Sequence, residues 1–159
     1  MKTAIIVHSL TGNTLSIAEK LKASLELKGD IVDLEKLEPL GGEDKNEVNV
    51  SNIRLKRKLH IDEYDNIVLA GPVRGFSMSP VLKAYMAGVE HLDRHKVVLL
   101  VTHFFPFPFM GGTSAISQMK SSVEQKGGKI VASGIVDWKG PSRDRKVERL
   151  LNQLTQALQ

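Results

Sequence analysis

The fold is decided by the stretch Thr3–Thr14, which reads TAIIVHSLTGNT. Its first part, Thr3–Val7, is a continuous apolar run, which is typical of a β-strand that is covered on both faces. Its second part places hydroxyl, amide and glycine residues directly before an amphipathic pattern, and this indicates a turn that leads into a helix. The stretch therefore predicts a strand, a tight loop and a helix at the start of the chain.

The same alternation of strand and helix continues along the whole chain. The later apolar runs are Ile31–Leu34, Ile67–Ala70, Val97–Thr102 and Ile130–Val136. The helical stripes begin at Ile17, Val81, Ile116 and Val147. Ser79 and Pro80 suit the N-cap and first residue of the second helix. Between the second and third runs, the polar stretch Pro39–His60 fits either a short helix or a long loop. The alternation predicts an α/β protein with a parallel sheet between two helix layers, as a single domain over residues 1–159.

The composition excludes several classes of protein. A chain of 159 residues with 42% hydrophobic residues can bury a core, so a disordered chain is excluded. Without cysteine there is no disulfide framework, thiolate metal cluster or cysteine nucleophile, and any redox chemistry must belong to a bound cofactor. No apolar run is long enough to span a bilayer and no signal peptide precedes the first strand, so we expect a cytoplasmic protein.

The basic charge is concentrated in two segments. The formal net charge is +4, and Arg54–Lys58 holds four basic residues and no acidic one. Lys139–Arg149 holds five basic residues and two acidic ones. Two local patches without interleaved aromatic residues do not predict nucleic-acid binding. For Arg54–Lys58, both a solvated surface and a docking site for an acidic redox partner stay open.

Ligands of open α/β sheets bind beyond the carboxyl ends of the strands, so the loops that follow the strands are the candidate sites. The first loop, His8–Thr14, combines three hydroxyls, one amide and a glycine, and no Lys or Arg occurs between Thr3 and Glu19. Neutral donors at the N-terminus of a helix can hold a phosphate. The lysine of a nucleotide P-loop and the glycine fingerprint of dinucleotide sites are both missing. An ordinary helix cap is the alternative interpretation.

The segment Ser9–Thr14, SLTGNT, resembles the S/T-x-T-G-N-T phosphate loop of flavodoxins. The order of elements resembles that family over nearly the whole chain. The resemblance implies a flavodoxin-like three-layer α/β/α fold, with a five-stranded parallel sheet in the order 2-1-3-4-5, and FMN as the cofactor. It also implies that the FMN phosphate is held by Ser9, Leu10, Thr11, Gly12, Asn13 and Thr14.

The second loop follows the third strand. Tyr64–Val73 is similar to the third strand and following loop of flavodoxin-like proteins, in which this loop lies against the isoalloxazine ring. The resemblance implies that the ring is contacted by Pro72, Val73, Arg74, Gly75 and Phe76. Phe76 could stack on the ring or form its edge. A tight turn before a helix that starts at Pro80 is the alternative.

The third loop, His103–Thr113, is apolar and aromatic. All five phenylalanines of the chain lie in the second and third loops, at positions 76, 104, 105, 107 and 109. Such a rim suits a flat aromatic ring, a partner surface or a small hydrophobic substrate. A satellite core over the helices is the alternative. The cofactor-binding candidates here are Thr102, His103, Phe104, Phe105, Gly111 and Gly112. The glycine pair resembles that of quinone-reductase-like members, but the ring-stacking tyrosine of short-chain flavodoxins has no counterpart in this loop.

Two functions follow from the resemblance. The first is an FMN-binding redox protein that transfers electrons to a protein partner. The alternative is an NAD(P)H-dependent FMN oxidoreductase, quinone-reductase-like, that acts on small aromatic acceptors. The basic composition counts against a plain carrier, because flavodoxin carriers are typically acidic. A binding module that has lost FMN is a third class.

Charged and titratable residues bear on flavin contacts, on a phosphoaspartate receiver and on metal sites. We expect Arg74 or His103 to face the pyrimidine side of the flavin or an anionic substrate. A phosphoaspartate receiver is excluded, because His8-Ser9 and Gly71-Pro72 stand where it needs acidic residues. His91 and His95 are at helical spacing near the expected end of a helix, and no metal site or catalytic residue is predicted.

Overall fold

The computed structural model describes residues 1–104 and 111–159. Its parallel strands are β1 (Lys2–Val7), β2 (Ile31–Lys36), β3 (Asn66–Arg74), β5 (Lys96–His103) and β6 (Lys129–Asp137). A short strand β4 (Ser77–Met78) pairs antiparallel with the end of β3. The parallel strands are arranged in the order β2-β1-β3-β5-β6. This is the predicted order 2-1-3-4-5 once β4 is left out of the numbering, and the predicted fold class is confirmed.

Four helices cover the sheet, and their apolar stripes are those expected from the sequence. They are α1 (Asn13–Glu26), α2 (Pro80–Ala87), α3 (Gly112–Gln125) and α4 (Arg143–Ala157). On one face, Leu21 of α1 and Leu154 of α4 are fully buried in a common core. On the other face, Leu82 of α2 and Val123 of α3 are buried in a second core. The central strands are therefore apolar on both faces, which explains their continuous hydrophobic runs.

The predicted start of α2 is confirmed in detail. The Ser79 hydroxyl accepts a hydrogen bond from the Leu82 backbone N–H at 3.3 Å, and Pro80 is the first helical residue. Serine satisfies a donor that has no partner within the helix, and proline loses nothing there because its missing N–H would be unpaired.

The third strand is longer than predicted. Residues 71–74 were expected in a loop, but β3 continues through Arg74, pairing Pro72 with Thr102 of β5 and Arg74 with Ser77 of β4. Pairing between β1 and β3 ends at Val7 and Ala70, so no β1 residue pairs with β3 at Pro72. Proline is tolerated where its missing N–H has no ladder partner. The loop assignment of Gly71, Pro72, Val73 and Arg74 was therefore wrong.

Two further expectations are corrected or resolved. Helix α2 ends at Ala87 with Gly88 as its C-cap. His91 and His95 lie beyond it and are not on a helix, so the helical interpretation of their spacing was wrong. His95 is buried, and its Nδ1 lies 2.8 Å from the Tyr64 carbonyl oxygen. The stretch Pro39–His60 is mostly loop, with one 3₁₀ turn at Val50–Asn52. Among the described residues, no helix is long and apolar enough to cross a membrane.

Candidate functional site

The loops chosen from the sequence meet at one edge of the sheet, beyond the carboxyl ends of β1, β3 and β5. The His8 backbone N–H donates to the Ala70 carbonyl at 2.9 Å, which joins the start of the first loop to β3. The hydroxyls of Thr14 and Thr102 lie 2.7 Å apart, which joins the first turn of α1 to β5. This edge is the place where strand order reverses between β1 and β3, the usual ligand site of such folds.

The turn at Ser9–Asn13 presents backbone donors to solvent. Gly12 is the N-cap of α1, with φ of 90°, and as a glycine it offers no side chain to cap the helix. A Cβ built on Gly12 meets no described atom within 4 Å, so the turn is open on that side. Thr11 is exposed, and Leu10 and Asn13 are half-buried. A helix N-terminus with glycine at the N-cap and uncharged neighbours suits an anion.

Two of the hydroxyls in this turn are directed into the protein. The Ser9 hydroxyl accepts a hydrogen bond from the Leu15 backbone N–H at 3.2 Å. Thr14 is buried, and its hydroxyl pairs with that of Thr102. Both residues therefore hold the shape of the turn, and these two hydroxyls are already used within the protein.

A hairpin forms the second part of the edge. Gly75 and Phe76 link β3 to β4 with φ values of 53° and 59°, the left-handed backbone that tight hairpin turns require. Phe76 is 57% exposed at the tip of this turn. The Arg74 guanidinium donates to the Lys45 carbonyl, so this side chain is directed to the loop at residues 39–54. That loop and Arg74 line a cavity of about 250 Å³.

The glycine pair at the start of α3 is explained by close packing. A Cβ at Gly111, whose φ is 109°, would lie 2.8 Å from Val73 Cγ1 and 2.9 Å from Phe76 Cα. A Cβ at Gly112 would lie 2.8 Å from Ile135 Cγ2. All three distances are below van der Waals contact, so residues larger than glycine would push α3 away from the hairpin and from β6.

The end of β5 carries a histidine paired with an acid. His103 is buried, and its Nε2 contacts Oδ1 of Asp137, its register partner on β6. Phe104 follows and is 56% exposed, with the Lys139 ammonium 4.3 Å from its ring centroid. Phe105, like Phe107 and Phe109, lies outside the described residues. Asp137 and Lys139 were missed in the sequence, although their place just after the last apolar run was a usable signal.

A second buried histidine lies at the end of β1. His8 is fully buried, with Nδ1 2.5 Å from the Ser79 hydroxyl and Nε2 2.8 Å from a carboxylate oxygen of Glu43. Burial lowers the pKa of His8, although Glu43 opposes the shift. Ser79 is buried at the start of α2, so this group is not a nucleophilic triad open to substrate. Glu43 belongs to the polar loop, where nothing in the sequence singled it out.

Comparison with known proteins decides the family. The family profile described as NADPH-dependent FMN reductase matches residues 1–134. The chain belongs to this family. No curated protein gives a significant sequence match.

Solved structures similar to this FMN reductase family member include flavodoxins and a flavoprotein. Flavodoxin from Streptococcus pneumonia TIGR4 is 16% identical, with a TM-score of 0.69 over 99% of this chain and 97% of that one. Oxidised flavodoxin 2 from Bacillus cereus is 18% identical, with a TM-score of 0.70 and the same coverage. A flavoprotein from Lactobacillus acidophilus NCFM, solved in complex with FMN, is 17% identical, with a TM-score of 0.60 over 93% of this chain and 97% of that one.

Family and fold together confirm the flavodoxin-like FMN-binding assignment, FMN as the cofactor and a redox role. They support both the electron-transfer prediction and the reductase alternative. Use of NAD(P)H follows from the family description. The turn at Ser9–Asn13 fits the phosphate of FMN, since it is open at Gly12 and carries no carboxylate. The individual contacts to the flavin stay predictions.

Proposed function

We propose that this protein is an NADPH-dependent FMN oxidoreductase that passes the electrons to a small aromatic acceptor. The open, uncharged turn at the N-terminus of α1, placed where the strand order reverses, carries the cofactor part of the proposal. FMN accepts a hydride and returns electrons singly or in pairs, so the chain has to bind, orient and shield it.

Each part of the edge has a distinct task in this proposal. Backbone groups of Ser9–Thr14 hold the phosphate. The hairpin at Pro72–Phe76 and the strand end at Thr102–Phe104 cover the ring, and Gly111-Gly112 lets α3 approach the hairpin closely enough to close the site. Phe76 and Phe104 are both more than half exposed, so they offer aromatic surface to a ring-shaped ligand.

The charge of this edge favours the reductase over the carrier. Lys139 and Arg143 follow the end of β6, none of the predicted cofactor-binding residues is acidic, and the acidic Glu43 and Asp137 at this edge each contact a histidine. An anionic hydride donor is attracted by such a surface. The carrier remains the second candidate, because the flavodoxins that resemble this chain match over almost the full length of both chains. The cytoplasmic location stays a prediction.

The test has two stages. The purified protein is expected to show flavin absorbance bands and to release FMN on acid treatment. A colourless protein that ignores added FMN would contradict cofactor binding. Anaerobic mixing with NADPH is then expected to bleach the flavin rapidly without any second protein. Slow bleaching, together with a stable neutral semiquinone during reductive titration, would favour the carrier.

A further inference from the structure

The end of β6 and the start of α4 form a compact surface of two aromatic rings and two cations. Phe104 and Trp138 supply the rings, and Lys139 and Arg143 supply the cations. The Lys139 ammonium lies 4.3 Å from the Phe104 ring centroid, and the Arg143 guanidinium carbon lies 4.4 Å from that of Trp138. We call these four residues the β6–α4 surface.

This surface belongs to the same edge as the proposed flavin site. The Trp138 backbone N–H donates to the His103 carbonyl at 2.8 Å, so the chain leaving β6 is hydrogen-bonded to the end of β5. Phe104 is the residue after His103. A ligand that touches the β6–α4 surface is therefore next to a strand end that the proposed function assigns to the ring.

The Arg143 side chain is held in place and remains accessible. Its Nη1 donates to the Trp138 carbonyl at 3.2 Å, and its Nε donates to Asp144 at 3.4 Å. The side chain is 38% exposed, and it lines an open cavity of about 410 Å³ together with Ser142, Asp144 and Arg145. A planar guanidinium fixed in this way loses little freedom when it binds a phosphate.

The charge around the surface is strongly positive. Lys139–Arg149 carries five basic residues against two acidic ones. A cation that stacks on an aromatic ring can still bind an anion, because the ring contact is weak compared with a phosphate contact. The chemistry that matches this combination is a dianionic phosphate beside a flat base.

We propose that the β6–α4 surface binds the adenosine 2′-phosphate of NADPH and thereby selects NADPH over NADH. The inference rests on the proposed function, since the 2′-phosphate is the only group that separates the two nucleotides. Arg74 lies on β3 and donates to the Lys45 carbonyl, whereas Lys139 and Arg143 stack on the two rings of the β6–α4 surface. Lys139 and Arg143 are therefore the cations that we assign to the 2′-phosphate.

Binding of small nucleotides to the FMN-loaded protein tests the proposal without any turnover. The probes are adenosine 2′,5′-bisphosphate, which carries the 2′-phosphate, and 5′-AMP, which does not. Calorimetry is expected to give a dissociation constant at least tenfold lower for the bisphosphate. Lys139→Gln and Arg143→Gln should each weaken bisphosphate binding about tenfold and leave 5′-AMP binding unchanged. Arg57→Ala, which removes a remote and exposed positive charge, should change neither.

Kinetics supply the second measurement and separate the two proposals. Arg143→Gln is expected to raise the KM for NADPH about tenfold while the KM for NADH and both kcat values hold. If the protein discriminates the two probes as described but neither nucleotide reduces the flavin, the proposed function fails and this binding site stands. Equal affinity of the two probes, or variants that bind the bisphosphate as the wild type does, would overturn the inference and leave the surface to an acidic protein partner. Circular dichroism of each variant checks that it is folded.

Discussion

The hydroxyls of Thr14 and Thr102 lie 2.7 Å apart and join the first turn of α1 to the end of β5. Strand β3 lies between β1 and β5 in the sheet, so this one hydrogen bond bridges the central strand. Both side chains are buried. The threonine that ends the SLTGNT motif therefore positions the turn at Ser9–Asn13 through its side chain.

Removing both of these hydroxyls should cost less stability than the sum of the two single removals. Thr14→Val or Thr102→Val leaves a buried hydroxyl unpaired, and each is expected to lower the free energy of unfolding by about 1–3 kcal/mol. In the double variant neither hydroxyl remains, so its loss should be clearly smaller than the sum of the two single losses. Urea denaturation of the four proteins gives the coupling energy.

FMN affinity separates the two roles of Thr14. If the hydroxyl serves only to position the turn, Thr14→Val and Thr102→Val should weaken FMN binding to a similar extent. A loss of FMN affinity confined to Thr14→Val would mean that its hydroxyl reaches the phosphate, contrary to the pairing described here.

A carboxylate placed in the turn at Ser9–Asn13 should change stability and FMN affinity in opposite directions. Asn13 is the first residue of α1, whose first turn contains no acidic residue. Asn13→Asp is expected to raise stability by about 0.3–1 kcal/mol through the helix dipole. The same charge repels the FMN phosphate, so we expect at least a tenfold loss of FMN affinity, which corresponds to about 1.4 kcal/mol.

Asn49→Asp is the matched control for this charge change. Asn49 is exposed and its side chain accepts a hydrogen bond from Ser51, which an aspartate also accepts. Denaturation measures stability, and fluorescence quenching of FMN by the apoprotein measures affinity. Unchanged FMN affinity in Asn13→Asp would show that the phosphate does not lie at this turn.

Two glycines with similar backbones should respond differently to the same substitution. Gly12 and Gly111 have φ values of 90° and 109°. Alanine at Gly12 should cost only the strain of a positive φ, about 1–2 kcal/mol. Its Cβ would meet open space, so no clash is added. Alanine at Gly111 adds a clash with the Phe76 backbone and should cost about 1–3 kcal/mol more. Chemical denaturation compares the two variants, and equal costs would mean that α3 does not pack against the hairpin as described.

The sequence predicted what depends on local pattern. The stripes of α1 to α4 and the start of α2 follow from apolar spacing and from Ser79-Pro80, and the structure confirms them. The extension of β3 through Pro72 could not be read in this way. It depends on β5 pairing with this residue after β1 has ended, and pairing partners are not encoded locally.

The same reason explains the site residues that were missed. Glu43 reaches His8 from a polar loop 35 residues away, and its role depends on how that loop folds over the edge. Asp137 meets His103 because β5 and β6 are in register, which is known only once the sheet is built. The motif at Ser9–Thr14 was recognisable because all its members are contiguous.

The buried His8 should make stability fall in mild acid. The histidine titrates near pH 6.5 in an unfolded chain, whereas burial holds its pKa lower in the folded protein. Between these two pKa values the unfolded state binds a proton that the folded state does not. The contribution of neutral, buried His8 to the free energy of unfolding is therefore complete above pH 6.5. It is lost as the pH falls towards the folded pKa, and the free energy of unfolding then decreases by at most about 1.4 kcal/mol per pH unit.

Urea denaturation of the wild type and His8→Gln between about pH 7.5 and pH 5 measures this contribution, because glutamine keeps a polar side chain without a titrating ring. The difference in unfolding free energy between the two proteins is expected to change with pH only below 6.5, with the wild type losing the larger share. His60→Gln, at an exposed position, controls for removing a histidine as such. A wild-type minus His8→Gln difference that stays constant across this range would show that His8 has the same pKa in the folded and unfolded states, and a wild type that gains stability relative to His8→Gln as the pH falls would show a protonated ring paired with Glu43; either result would contradict the pKa lowered by burial.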